Sequence, residues 1–247
     1  MKIAIISDIH ANLEALTAVL EDIEKKEDVK DIICLGDIVG YGANPNECVE
    51  IIKNRCSKVV LGNHDAAGLG LISLEYFNIY ARAAAIWTQN QLTEESRKYL
   101  KNLEYVNYLD EKERIMMVHS SPLFPENWNY ILNNDDAKTA FYKITEEIAC
   151  FIGHSHQPII FSKDISDSVN MHPPKDFTFD ENKRYFINVG SVGQPRDGIK
   201  DSSYVIFDLD KLMVFFQRVP YDVEQAAQKI RDAELSDVLA DRLLFGR

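Results

Sequence analysis

A chain of 247 residues is long enough to bury most of the surface its unfolded form exposes, so no disulfide or metal staple is needed for folding. Hydrophobic residues make up 46% and charged residues 27%, which excludes a disordered, collagen-like or disulfide-scaffold class. Asp plus Glu number 39 against 27 Lys plus Arg, and the net charge of −12 argues against a long nucleic acid as partner, since that requires concentrated Lys and Arg.

Residues 3–6 form a short apolar run of the kind a buried central strand needs. From about residue 12 to 26, Leu13, Leu16, Leu20 and Ile23 recur at three and four residues and predict one helix face. Residues 32–35 read as a second strand, ending in Gly36-Asp37. Asn44 is a good N-cap for a helix over 45–53, with Pro45 in its first position. Residues 57–61 read as a third strand, ending in Gly62-Asn63-His64-Asp65. Strand, polar loop and helix in alternation is the α/β signature.

Residues 73–102 carry no strand signal and read as helix, with Thr93 capping the second segment; the predicted helical insert covers about 66–102. Residues 105–109 and 114–119 flank the charged turn Asp110-Glu111-Lys112-Glu113, a hairpin candidate. A helix is expected over 135–147 and a strand over 149–152, which runs into Gly153-His154-Ser155-His156. Further strands are expected over 158–161, 184–189, 204–208 and 211–218, the last two as a hairpin around Leu209-Asp210. Residues 164–182 are polar and contain proline, which predicts an exposed loop. Two C-terminal helices are expected within about 221–244. No linker, repeat or low-complexity tract interrupts the pattern, so a single domain over 1–247 is expected.

Cys34, Cys48, Cys56 and Cys150 have no ligand-like spacing and read as small buried or half-buried residues. The opening MKIAIISDIH places an acid and a histidine where an apolar leader would continue, and no apolar run approaches a membrane span. A cytoplasmic location without a membrane partner is the expectation.

The strand ends are the informative part. Five successive strand-to-loop transitions deliver metal-ligating side chains: Asp8 with His10, Asp37, Asn63 with His64, His119, and His154 with His156. Of the six histidines, only His172 falls elsewhere. Open α/β sheets bind ligands outside the carboxyl ends of their strands, where these side chains would converge. Each motif alone has a bland reading: an N-cap for Asp8, a plain turn for Gly36-Asp37 or Gly62-Asn63, a satisfied core histidine for His119. Five independent turns all drawing ligand types argue against those readings together. Imidazole with carboxylate suits Mn, Fe, Zn or Ni, and bound cations would let an acidic protein accept a phosphorylated substrate.

The ordered set Asp8-x-His10, Gly36-Asp37, Gly62-Asn63-His64-Asp65, His119 and Gly153-His154-x-His156 resembles the calcineurin-like metallophosphoesterase superfamily. Residues 188–196, Asn-Val-Gly-Ser-Val-Gly-Gln-Pro-Arg, and residues 36–42 are similar to its small prokaryotic phosphodiesterase branch. One departure is Ser120-Ser121 after His119, where the family often has Gly. The resemblance implies an α/β fold, a four-layer αββα sandwich of two mixed β-sheets flanked by helices. It implies one metal on Asp8, His10, Asp37 and His156 and a second on Asp37, Asn63, His119 and His154, with Asp37 bridging. Mn is the first expectation, with Fe, Zn, Ni or Mg as other occupants.

The chemistry of such a pair fits the resemblance. Two close divalent cations need a bridging carboxylate and lower the pKa of a shared water, so a bridging hydroxide would attack phosphorus in line. His64, the family's non-ligand histidine, would stabilise the transition state or protonate the leaving oxygen, with Asp65 orienting it. Arg196 either contacts a phosphate or pairs with Asp197 or Asp201, and Tyr41 either flanks the substrate or packs. The aromatic segment 121–134 either covers the site or forms a satellite cluster. A metal-dependent phosphoesterase is therefore expected, foremost a phosphodiesterase of a small phosphorylated substrate. A phosphomonoesterase or protein phosphatase, a dinucleoside polyphosphate hydrolase, and a non-catalytic adaptor on the same fold are the alternatives. The adaptor reading predicts broken ligand positions, and every one is filled.

Overall fold

Alternation along the first strand, β1 (Lys2–Ile6), separates two cores: Ile3 and Ile5 enter one, Ala4 and Ile6 the other. The computed structural model describes residues 1–109 and 115–247. After β1 come α1 (Leu13–Glu24), β2 (Val29–Cys34), α2 (Pro45–Arg55), β3 (Lys58–Val59), α3 (Asn63–Gly68), α4 (Ile79–Gln91) and α5 (Glu94–Lys101). Then follow β4 (Val106–Tyr108), β5 (Ile115–Val118), α6 (Asn134–Ala140), β6 (Ala149–Ile152), β7 (Ile159–Asp164), β8 (Val169–His172) and β9 (Phe177–Thr178). The chain closes with β10 (Lys183–Asn188), β11 (Ser202–Asp208), β12 (Met213–Val219), α7 (Val223–Asp232) and α8 (Asp237–Phe245).

The strands form two six-stranded mixed sheets, ordered β3-β2-β1-β11-β12-β9 and β4-β5-β6-β10-β7-β8. In the first, β1, β2 and β3 run parallel while β11 lies antiparallel to β1. In the second, β5, β6 and β10 run parallel and β7 antiparallel to β10. Ile5, Ile33, Met117, Phe151, Ile187 and Phe207 fill the space between the sheets. The outer face of the first sheet packs on α1 and α2 through Ile6, Cys34, Leu16, Val19 and Val49. The outer face of the second packs on α6 through Met116, Cys150, Ala137 and Phe141. This is the expected sandwich of two sheets between helices. Tyr41 joins a further apolar cluster with α4, α7 and α8.

Three stretches differ from the sequence expectation. Residues 164–182 are not one loop: β8 adds antiparallel to β7 and β9 to β12. The helix expected over 135–147 ends at Ala140, where Tyr142 N–H and Lys143 N–H bond three residues back to Thr139 and Ala140, tightening the last turn. Gly62-Asn63-His64-Asp65 does not stay a turn but starts the short helix α3. Thr93 caps α5 by accepting from Ser96 N–H. Asn44 instead donates to Glu47, leaving α2 without a side-chain cap. The expected hairpin is seen as antiparallel β4 and β5, while its turn at 110–113 lies outside the described residues. The four cysteines are free, three of them buried and Cys56 half-buried. No described helix is long and apolar enough to cross a membrane.

Candidate metal centre and its cavity

The loops after β1, β2, β3, β5 and β6 deliver Asp8, His10, Asp37, Asn63, His64, His119, His154 and His156 to one place, all of them buried. Backbone strain marks the same loops. Asp8, His10, Asp37, His154 and His156 have φ of +54°, +49°, +53°, +66° and +60°. Non-glycine residues rarely occupy this left-handed region, at a cost of about 1 kcal/mol or more each, and they concentrate at functional sites. Two glycines make room: a Cβ on Gly62 would overlap the Asp37 carboxylate, and one on Gly153 would overlap Ser7 Oγ.

The two carboxylates are held alike. Asp8 Oδ2 accepts His154 N–H at 3.0 Å and Asp37 Oδ1 accepts His64 N–H at 2.7 Å. Their other oxygens, Asp8 Oδ1 and Asp37 Oδ2, are buried without a partner. The imidazoles follow the same logic. His10, His119 and His156 turn Nδ1 to the carbonyls of Val39, Leu35 and Gln194, at 3.2, 2.7 and 2.6 Å. Donation through Nδ1 turns each Nε2 toward the cluster, the arrangement that orients metal-binding histidines. His154 is turned the other way, with Nε2 on the carbonyl of Trp128 at 2.9 Å, which leaves Nδ1.

Asp8, His10, Asp37 and His156 form one group able to hold a metal ion, and Asp37, His119 and His154 a second. Asp37 belongs to both: its Oδ2 lies 3.6 Å from His10 Nε2 and 3.2 Å from His119 Nε2. His10 Nε2 and His156 Nε2 face each other at 3.0 Å, two lone pairs with no proton assigned between them by their Nδ1 bonds. Asp8 Oδ1, Asp37 Oδ2, Asn63 Oδ1 and His119 Nε2 are all buried and unpartnered. Leaving such groups unmet costs about 1–3 kcal/mol each, and divalent cations would satisfy all four. The donor set of nitrogen and oxygen without thiolate therefore fits divalent metals.

Charge reinforces the fit. Burial opposes ionisation of Asp37, but His119, His64 and His10 beside it hold its carboxyl well below the usual carboxylate range. Burial favours a neutral His119, yet the Asp37 charge beside it raises it to about 9. Burial pushes His64 and His154 down to about 3, and His156 well below the ordinary imidazole value. Neutral rings at those positions keep their lone pairs available to a cation.

Asp65 corrects the sequence expectation. It does not orient His64: Oδ1 accepts the N–H groups of Ile38 and Val39, and Oδ2 those of Asp37 and Gly62, all within 2.9–3.1 Å. With four backbone donors converging on it, the carboxylate has no geometry left for His64, whose Nδ1 is buried and unpartnered. Asp65 thus sets the loop that carries Asp37. Arg196 pairs with neither Asp197 nor Asp201: its guanidinium donates to Gln194 Oε1 at 2.7 Å and lies over the Tyr41 ring at 5.7 Å, while Asp197 pairs with Arg218. Tyr41, with φ +62°, packs its ring against His64 at 4.3 Å and His10 at 4.8 Å.

A cavity of about 440 Å³ opens beside the cluster, reaching Asn63, His64 and His154. The segment 121–134 does border the site: Tyr130 stacks on His154 at 3.9 Å and Trp128 stands edge-on to His119 at 6.1 Å. Phe77, which sequence reasoning missed, meets His64 edge-on at 5.1 Å. So were the carbonyls of Leu35, Val39 and Gln194 that orient the rings, and a backbone oxygen leaves no mark in a residue code.

Comparison with known proteins agrees with this geometry. The model of the calcineurin-like phosphoesterase superfamily domain matches residues 1–212. An uncharacterized protein of Methanocaldococcus jannaschii is 45% identical over 246 residues, covering 99% of this chain and 98% of that one. The crystal structure of a metallophosphoesterase from Sphaerobacter thermophilus superposes with a TM-score of 0.86 at 40% identity, covering 100% of both chains. A hypothetical protein from Pyrococcus horikoshii shares the fold at a TM-score of 0.80 and 22% identity, covering 100% of this chain and 98% of that one.

Proposed function

The chain belongs to the calcineurin-like phosphoesterase superfamily, and from that premise we propose that it is a metal-dependent phosphodiesterase using two divalent cations, manganese foremost. Membership implies hydrolysis of phosphoric esters in general. The observation that carries the binuclear reading is Asp37, whose unpartnered Oδ2 is shared by two buried groups of ligand-type side chains. Asp8, His10, Asp37 and His156 would hold one cation, and Asp37, Asn63, His119 and His154 the other. Bound there, the pair would supply a water of lowered pKa and neutralise charge on the phosphoryl oxygens.

The protein's own groups do the rest. The Nδ1 bonds to Val39, Leu35 and Gln194 fix the rings, so no reorganisation is needed when substrate arrives. His64 lines the cavity between Tyr41 and Phe77; its Nδ1 is buried beside Gly40, so Nε2 is the nitrogen it can present to a reacting oxygen. Burial keeps it neutral in the metal-free protein, so a proton it passes to the leaving oxygen must come with the substrate or water.

A diester is favoured over a monoester by the cavity, which offers room for a second esterified group and has no Lys or Arg among its described lining residues to meet a dianion. The test is hydrolysis of bis-p-nitrophenyl phosphate beside p-nitrophenyl phosphate by protein stripped with chelator and reloaded with Mn²⁺. Manganese-dependent turnover favouring the diester is expected. Turnover of the monoester alone would make it a phosphatase, and inertness toward both under several metals would favour an adaptor.

A further inference from the structure

Five aromatic side chains, Tyr41, Tyr76, Phe77, Trp128 and Tyr130, line the cavity beside the candidate metal centre. They come from separate segments: Tyr76 and Phe77 precede α4, while Trp128 and Tyr130 lie in the loop between β5 and α6. Phe77 and Tyr130 already spend ring contacts on His64 and His154. Among the described residues Tyr76 spends none: it is 95% exposed at the cavity's edge, with its ring faces free for a ligand.

The polar groups narrow the ligand. Asn78 commits Oδ1 to capping α4, and its Nδ2 has no partner among the described residues. The Trp128 indole N–H is buried and likewise unpartnered. Asn127 supplies a further amide and Glu126 a carboxylate. An acyl chain would leave the buried Trp128 N–H unmet and would face the exposed polar groups of Asn78, Glu126 and Asn127. A chain of further phosphates would meet the Glu126 carboxylate and, among the described lining residues, no Lys or Arg. A flat heterocycle would use both the ring faces and the polar edge.

We propose that this cavity takes the nucleobase of a nucleoside phosphodiester, with Tyr76, Phe77 and Trp128 as the residues that select it. The inference rests on the phosphodiesterase reading, since it assigns the scissile phosphate to the adjoining metal centre. A base stacked on aromatic side chains gains enough to tighten binding about tenfold.

The experiment is isothermal titration calorimetry of the manganese-loaded protein with adenosine 5′-monophosphate, ribose 5-phosphate and inorganic phosphate, with hydrolysis of bis-p-nitrophenyl phosphate measured on the same sample. The nucleotide should bind about tenfold more tightly than ribose 5-phosphate, and Tyr76→Ala should cut that ratio to about threefold or less. Tyr76 is exposed, so its loss leaves the core intact. Equal affinities for the nucleotide and the sugar phosphate in a protein that hydrolyses the diester would overturn this inference and leave the phosphodiesterase reading standing. A tenfold preference without turnover would keep the base site and remove that reading instead. An unchanged ratio in Tyr76→Ala would overturn the selectivity claim, and an accompanying change of oligomeric state would assign the exposed ring to self-association.

Discussion

Asp65 Oδ2 accepts the backbone N–H of Asp37 at 2.9 Å, across 28 residues of sequence. The same carboxylate takes the N–H groups of Ile38, Val39 and Gly62, so it ties the loop after β2 to the start of α3. Asp65→Asn places an amide NH₂ against some of these donors. We expect a loss of about 2–4 kcal/mol in stability by denaturant titration, together with weaker manganese retention. A stable, fully metal-loaded Asp65→Asn that lacks only activity would point to a direct catalytic role instead.

Asp37 lies in both candidate metal groups. Asp37→Ala should retain the fold, bind fewer than two metal ions by elemental analysis and lose hydrolysis. Asn63→Ala should lose hydrolysis with a smaller loss of metal, because it removes one neutral donor rather than a shared charge. Full activity in Asp37→Ala would contradict the two-metal account.

His64 touches neither carboxylate's free oxygen and lies outside both metal groups. His64→Ala should keep its metal content and lose at least about 100-fold in kcat. Unchanged turnover would remove His64 from the reaction.

The convergence of the ligand-type side chains was legible in the sequence because strand ends and residue types are local features. Asp8, His10, Asp37, His119, His154 and His156 each lie within four residues of the end of an apolar run, and their convergence follows from strands laid side by side. The role of Asp65 was not legible, because three of its four donors lie on a loop 26–28 residues earlier and are backbone groups. The edge strand Val169–His172 was hidden for a related reason: three of its four residues are exposed, and only pairing with β7 makes them a strand. α3 was hidden by turn-like Gly-Asn-His-Asp, and its helical turn depends on Asp65 reaching Gly62 N–H. Phe77 sits in a segment with no periodicity toward the site, so only the folded chain brings it to His64.

Metal uptake should depend on pH with a definite sign. The Asp37 charge holds His119 protonated up to about pH 9 in the metal-free protein, and a cation needs the neutral ring. Manganese affinity should therefore rise as pH increases from 7 toward 9, and binding at pH 7.5 should release about one proton from this ring. Calorimetry in buffers of different ionisation enthalpy reads that proton. Uptake with no proton release would contradict the assignment of His119.

The most direct test of the central claim is to titrate chelator-stripped protein with Mn²⁺ while recording bound metal and diester hydrolysis together. The account predicts two ions bound per chain, with turnover following occupancy of the second. Full turnover in the stripped protein, or saturation of activity at one ion, would contradict it.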